Sequence, residues 1–160
     1  GIGEDRKYLS DLAEECQVQD RVFLLGHVPS EDLPRWYNLA EVFVMPNREI
    51  NGDTEGFGMV FLEAAACGKP AIAGCAGGTG SAVLHEVTGY RVDGHSIDSI
   101  RDALVRVLQA GEGTKTMGDQ ACFRARSEFD WRVVANKIAF VSGDDGAINE
   151  KFDAKTSKNI

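Results

Sequence analysis

The sequence is poor in positive charge. Of its 160 residues, 17 are Lys or Arg and 25 are Asp or Glu, a formal net charge of -8. Binding along a nucleic-acid backbone draws on clustered cations, so no nucleic-acid partner is expected. A single phosphorylated small molecule stays open, because backbone N–H groups hold phosphate without net positive charge. No apolar run approaches the roughly 18 residues that span a bilayer, so no transmembrane segment is expected. The opening Gly1-Ile2-Gly3-Glu4-Asp5 lacks the basic-then-apolar layout of a signal peptide. It also lacks an initiator Met, so a start further upstream is expected. The four cysteines (Cys16, Cys67, Cys75, Cys122) contain no C-x-x-C pair, which leaves zinc and redox motifs unsupported. They read as reduced, packed small hydrophobes of a cytoplasmic protein. His27, His85 and His95 have no metal-like spacing, and no metal is expected. Four Pro against 18 Gly without a Gly-X-Y period excludes collagen and points to tight turns.

What is present is an ordinary globular composition, 43% hydrophobic and 26% charged, at the size of one domain. Short apolar runs at Val22–Leu25, Val42–Met45, Pro70–Ala73 and Tyr90–Val92 predict four strands, the first two buried on both faces. Helical spacing covers Tyr8–Cys16, the stretch after Ser30, Phe57–Cys67 and Ile97–Leu108. Ser30 and Ser96 predict N-caps, and Gly68 predicts a glycine C-cap. Trp36 and Tyr37 are expected to pack their helix on the sheet. Gly77-Gly78-Thr79-Gly80 opens a further short helix, and two more are predicted at Lys115–Arg126 and Trp131–Val141. From Gly143 a loose tail is expected. Strands alternating with helices predict an α/β, doubly wound parallel sheet of Rossmann-like type over residues 1–142. Ligands of such folds sit outside the carboxyl ends of the strands, where the glycine-rich loops gather.

The segment Glu55-Gly56-Phe57-Gly58-Met59-Val60-Phe61-Leu62-Glu63 lies between a strand and a helix. Glycines at a helix entrance let backbone N–H groups approach a ligand, and the helix dipole favours a phosphate there. Glu63 falls about five residues into the helix, roughly 7.5 Å along its axis. A carboxylate at that depth suits a ribose diol rather than a phosphate. Glu55, before the helix, is placed for the hydroxyls of a second sugar. The order sugar, diphosphate, ribose is that of a nucleotide-sugar. A plainer explanation stands beside it: Glu at a helix start complements the dipole, and two glutamates eight apart arise by chance. Against that, Glu63 is flanked by Phe61, Leu62, Ala64, Ala65 and Ala66, and a carboxylate in a helix apolar nearly all round needs a partner.

Taken in order, Phe23-Leu24-Leu25-Gly26-His27-Val28, Tyr37–Pro46, Glu55–Glu63 with Glu-Ala-Ala-Ala-Cys-Gly-Lys-Pro after it, Gly77-Gly78 and Thr88-Gly89 resemble the C-terminal domain of GT-B glycosyltransferases. The nearest class is family 4, retaining enzymes with an E-x7-E motif. The Arg48–Asp53 insertion is similar to that of bacterial mannosyltransferases acting on phosphatidylinositol and related lipids. The resemblance covers roughly residues 1 to 142. It implies transfer of a hexose from a GDP- or UDP-sugar to a lipid, glycan or small-molecule acceptor, with no cofactor or metal. Glu55 is then the catalytic candidate, in contact with the transferred sugar. Gly56, Phe57, Gly58, Met59 and Val60 form the donor-binding turn, Glu63 takes the ribose, and His27 and Val28 frame the base. The departing diphosphate would help deprotonate the acceptor. A cytoplasmic location is implied, peripheral at the inner membrane face for a full-length enzyme.

The family's N-terminal domain, and an Arg and a Lys that steady the diphosphate, have no counterpart in this sequence. The chain is therefore expected to be a partial enzyme, the donor-binding half. The alternative is a non-catalytic remnant that binds nucleotide-sugar and transfers nothing alone. A related nucleotide-sugar epimerase is a third reading, disfavoured by the insertion. Apolar surface around Trp131 and Phe140 would lie exposed without the other domain, favouring self-association. Arg48 is read either as a substitute cation or as an ordinary loop arginine. Gly77–Gly80 is read either as a turn or as a second backbone wall near the sugar. Ser81 has no nucleophile elbow around it.

Overall fold

Residue volume decides the layering of this chain. Ala71-Ile72-Ala73-Gly74 is weak in strand propensity, yet it forms the wholly buried centre of the sheet, because small side chains let helices approach closely. The computed structural model describes residues 2–142; the tail expected from Gly143 lies outside the described residues.

Among the described residues three strands run parallel in the order β1-β2-β3: β1 Phe43–Met45, β2 Ala71–Gly74 and β3 Gly89–Val92. Phe43 pairs with Ala71, and Ala71 with Gly89. Alternation along the strands splits the core into two layers. Ala71 and Ala73, with Phe43 and Met45, face Phe61 of helix α3 (Met59–Ala66). Ile72 and Val92, with Tyr90, face Ala103 and Val107 of α4 (Ile97–Gln109). Helices thus cover both faces, as a doubly wound sheet requires. α5 (Glu112–Glu128) packs on α3 through Ala65, Ala121 and Ala125, and α6 (Trp131–Ser142) follows it. Gly118 brings α5 close: a Cβ there would stand 2.2 Å from the Gly68 carbonyl oxygen.

Two of the predicted caps are present, those of Ser96 and Gly68; the helix after Ser30 begins only at Leu33, so Ser30 is not its N-cap. The Ser99 N–H donates to Ser96 Oγ at 3.1 Å. After α3, Gly68 takes φ +71, its N–H donates to the Ala65 carbonyl, and the Lys69 N–H donates to that of Ala64, a Schellman ending. The short helix expected to open at Gly77 is a 3-10 turn, Gly77–Ser81. Its Thr79 is fully buried and donates from Oγ1 to the Gly74 carbonyl at 2.7 Å. Thr79→Val keeps the volume and strands that carbonyl, so urea unfolding should show a loss of about 1–3 kcal/mol.

The described chain divides into two compact units, residues 1–36 and 37 onward. The first holds α1 (Arg6–Glu15), a 3-10 turn at Gln19–Arg21 and the start of α2 (Leu33–Leu39). Further expectations are corrected. Val22–Leu25 forms no strand: it has no ladder partner among the described residues, and Phe23 is 77% exposed. Apolar sequence makes a strand only where a neighbour takes its backbone groups. Among the described residues β1 is an edge strand with Val44 exposed, so it is not buried on both faces. Trp36, the last residue of the first unit, is exposed. Cys16 and Cys75 are likewise exposed, and only Cys67 and Cys122 are partly buried. All four are free thiols, and burial pushes the Cys67 thiol up.

Candidate functional site

The loops that follow the strands meet at one edge of the sheet. Asn47, just past β1, accepts the Gly74 N–H on Oδ1 and donates from Nδ2 to the Ala76 carbonyl, both at 2.9 Å. One amide side chain thereby pins the exit of β1 to the exit of β2. Past β3, a Cβ on Gly94 would sit 2.6 Å from the Pro46 and Asn47 carbonyl oxygens. The Gly77-Gly78 turn lies directly on the candidate segment. The Gly78 N–H donates to the Glu55 carbonyl at 3.0 Å, and a Cβ on Gly78 would fall 1.8 Å from the Gly56 oxygen. These glycines therefore hold the Glu55 loop in place by backbone contact.

The Arg48–Asp53 insertion folds into a tight hairpin. Ile50 and Asp53 exchange both backbone hydrogen bonds across Asn51 and Gly52, which carry φ of +54 and +83. That is the turn geometry an Asn-Gly pair supports. The hairpin leads into Glu55 and lines with it an open cleft of about 280 Å3, together with Asn47, Arg48 and Thr54. Among the described residues Arg48 makes no ion pair.

The chain then turns into α3. Gly56 is exposed, with open space where a Cβ would be. Gly58 is different: it takes φ +81, it is buried, and the Phe61 ring lies 2.5 Å from where its Cβ would be. So a side chain at Gly56 would meet nothing within 4 Å, while Gly58 serves the sharp entry into the helix. The Phe57 N–H donates weakly to Glu55 Oε1 at 3.4 Å. The Phe57 ring packs 5.6 Å from Phe129, which lies under the Arg124 guanidinium, so Phe57 offers a ligand its backbone only. Among the described residues no side chain caps α3; the Phe61 N–H donates to the Gly58 carbonyl at 3.0 Å, which leaves the N–H groups of Met59 and Val60 as the open donors of the first turn.

α3 is not apolar all round in its burial. Phe61, Ala64 and Ala65 are buried, while Met59, Glu63 and Ala66 form an exposed stripe at i, i+4 and i+7. Glu63 therefore stands one turn, about 6 Å, beyond Met59 on the same face. It has the partner that sequence reasoning demanded: Tyr37 Oη donates to Glu63 Oε2 at 2.9 Å. Burial, then the hydrogen bond to Glu63, pushes the Tyr37 phenol well above its ordinary range.

The structure brings Glu55, Gly56, Phe57, Gly58, Met59, Val60 and Glu63 together in the second unit. His27 and Val28 belong to the first. There His27 is exposed, and Val28 lines an open cleft of about 470 Å3 with Leu9, Phe23 and Leu25. Tyr37, Asn47, Thr79 and Arg124 escaped sequence reasoning as supports of the site. Arg124 donates to the Ser81 and Ala82 carbonyls at the end of the 3-10 turn, a contact 42 or 43 residues away in sequence. Only Asn47, a polar residue directly after a strand and its Pro, carried a local signal.

The family model for "Glycosyl transferases group 1" matches residues 1–122. This chain belongs to that family. Within it, the chain is 40% identical over 150 residues to the GDP-mannose-dependent alpha-(1-6)-phosphatidylinositol monomannoside mannosyltransferase of Mycobacterium tuberculosis (strain CDC 1551 / Oshkosh). The match covers 92% of this chain and 39% of that relative, so the chain spans about two fifths of the curated relative's length. Among solved structures, sucrose-phosphate synthase from Thermosynechococcus elongatus superposes with a TM-score of 0.76 at 30% identity, over 88% of this chain and 34% of that one. Anabaena HepE, solved with UDP-glucose, gives 0.74 at 25% identity, over 89% and 38%. The group 1 glycosyltransferase fold is a GT-B arrangement, and the parallel sheet with helices on both faces is its α/β, Rossmann-like part. Among the described residues of this family member, no helix is long and apolar enough to cross a membrane.

Proposed function

We propose that this chain is the donor-binding half of a retaining hexosyltransferase that uses a GDP- or UDP-sugar. The observation that carries the reading is the exposed stripe on α3: uncapped N–H donors at Met59, and a carboxylate held by Tyr37 one turn further along the same face. A diphosphate fits the first element and a ribose diol the second, and their spacing along the helix follows the order of a nucleotide. Glu55, in its cleft before the turn, is placed for the hydroxyls of the transferred sugar, and Arg48 lines the same cleft as a cation for the diphosphate. The relatives' names support this choice, one being GDP-mannose-dependent and another solved with UDP-glucose.

In this reading the chain works by positioning and charge stabilisation. Backbone donors at Gly56–Val60 hold the leaving diphosphate, Glu63 fixes the nucleoside, and Glu55 orients the sugar so that its new bond forms on the face of the old one. No cofactor or metal takes part. The acceptor is a lipid, glycan or small molecule presented by an N-terminal domain in the cytoplasm, at the inner membrane face. Trp131, 70% exposed, and Phe140, 77% exposed, supply the surface by which the chain would meet that domain or a second copy.

Calorimetric titration with GDP, UDP and their sugars tests the reading. Binding should weaken at least about tenfold in Glu63→Ala, the loss of one charged hydrogen-bonding site. It should be unchanged in Glu86→Ala, at the turn before β3. No binding at millimolar nucleotide, or equal loss in both variants, contradicts it.

A further inference from the structure

We infer that Tyr37 is a positioning residue for the nucleoside end of the donor: its hydroxyl fixes the Glu63 carboxylate in the orientation that accepts a ribose diol. The inference rests on the donor-binding reading above and adds a residue to it.

A glutamate exposed on a helix rotates about three bonds, and ordering it on binding opposes affinity. Glu63 is exposed but not free. Tyr37 Oη donates to its Oε2 at 2.9 Å. Tyr37 is immobilised in turn by a chain of edge-on rings. Its ring centroid lies 5.7 Å from that of Phe43, and Phe43 lies 5.6 Å from Phe61, which is buried in the core. The end of α2 beside it is tied down as well, since Lys69 Nζ donates to the Asn38 carbonyl at 3.0 Å. Rigidity thus passes from the buried core to a surface carboxylate through one hydroxyl group.

The acceptor arithmetic fits a diol. An ionised carboxylate offers about four lone-pair sites. Tyr37 occupies one on Oε2 and leaves Oε1 untouched, among the described residues. The two hydroxyls of a ribose need one site each. Because the phenol stays protonated well above neutral pH, Tyr37 remains a donor and keeps Glu63 an acceptor. The ring stack does not need the hydroxyl, since phenylalanine would fill it equally well.

The test uses the full chain, with GDP and 2′,3′-dideoxy-GDP as calorimetric probes of the unaltered protein, Tyr37→Phe and Glu63→Ala. The unaltered chain should bind GDP more tightly than its dideoxy analogue, and Glu63→Ala should erase that gap. Tyr37→Phe should shrink it by roughly tenfold, the scale of one hydrogen bond to a charged group. Its affinity for dideoxy-GDP and its melting temperature should stay as in the unaltered chain. Equal weakening of both ligands in Tyr37→Phe, or no change in either, overturns the positioning role and leaves the donor-binding reading standing. Absence of GDP binding, absence of a gap in the unaltered chain, or a gap that survives Glu63→Ala overturns the reading and this inference together.

Discussion

Gly78→Ala should lower stability by at least about 3 kcal/mol in urea unfolding and abolish nucleotide binding. The added Cβ would lie 1.8 Å from the Gly56 carbonyl oxygen and 2.9 Å from its carbon. Neither atom belongs to a side chain that can swing away. The two backbones must separate by about 1 Å or more to restore contact distance. That movement breaks the 3.0 Å hydrogen bond from the Gly78 N–H to the Glu55 carbonyl, leaving both groups unpaired. It also shifts the loop carrying Glu55 and Gly56, and errors of this size in a positioned group reduce function by about a hundredfold. Gly56→Ala, with open space around its Cβ, is the contrasting case and should leave stability unchanged. A melting temperature for Gly78→Ala equal to that of the unaltered chain would show that the two loops are not packed as described.

Phe61→Ala should cost about 3–5 kcal/mol, the range for removing a buried aromatic side chain. Phe61 is 1% exposed and touches both the sheet layer of Ala71 and Ala73 and the ring of Phe43. It also occupies the space where a Gly58 Cβ would be. Two consequences separate this residue from an ordinary core position. The stack that steadies Tyr37 loses its base, so the grip on Glu63 should loosen. And Gly58→Ala, which clashes in the unaltered chain, should be less damaging when Phe61 is already Ala, because only the strain of φ +81 remains. A double-mutant cycle by chemical denaturation measures that coupling. Strict additivity of the two changes would contradict the contact.

The helices were legible because their signals are local. Ser96, Gly68 and the apolar spacing of Ile100, Ala103, Leu104 and Val107 each act within a few residues, and all appear as expected. The Val22–Leu25 run shows the limit of such signals. Its composition is that of a strand, but a strand is made by its neighbour, and no pairing is present among the described residues. β2 shows the reverse, a weak local pattern that tertiary burial turns into the sheet's centre. The candidate turn was legible from Gly56, Gly58 and the eight-residue spacing of Glu55 and Glu63. What holds it was not: Tyr37 lies 26 residues from Glu63, and Gly78 touches Gly56 across a whole helix and strand. The glycines also differ, a side chain at Gly56 meeting nothing within 4 Å and Gly58 making the turn, a distinction that rests on the placement of the Phe61 ring.

The central claim is that the backbone entering α3 grips a diphosphate. Amide chemical shifts read this directly, by titrating the isotopically labelled chain with GDP-mannose and following each backbone N–H resonance. The largest changes should fall on Gly56, Phe57, Gly58, Met59 and Val60. Binding that saturates while those five amides stay still, with the changes gathered elsewhere on the chain, would refute the claim.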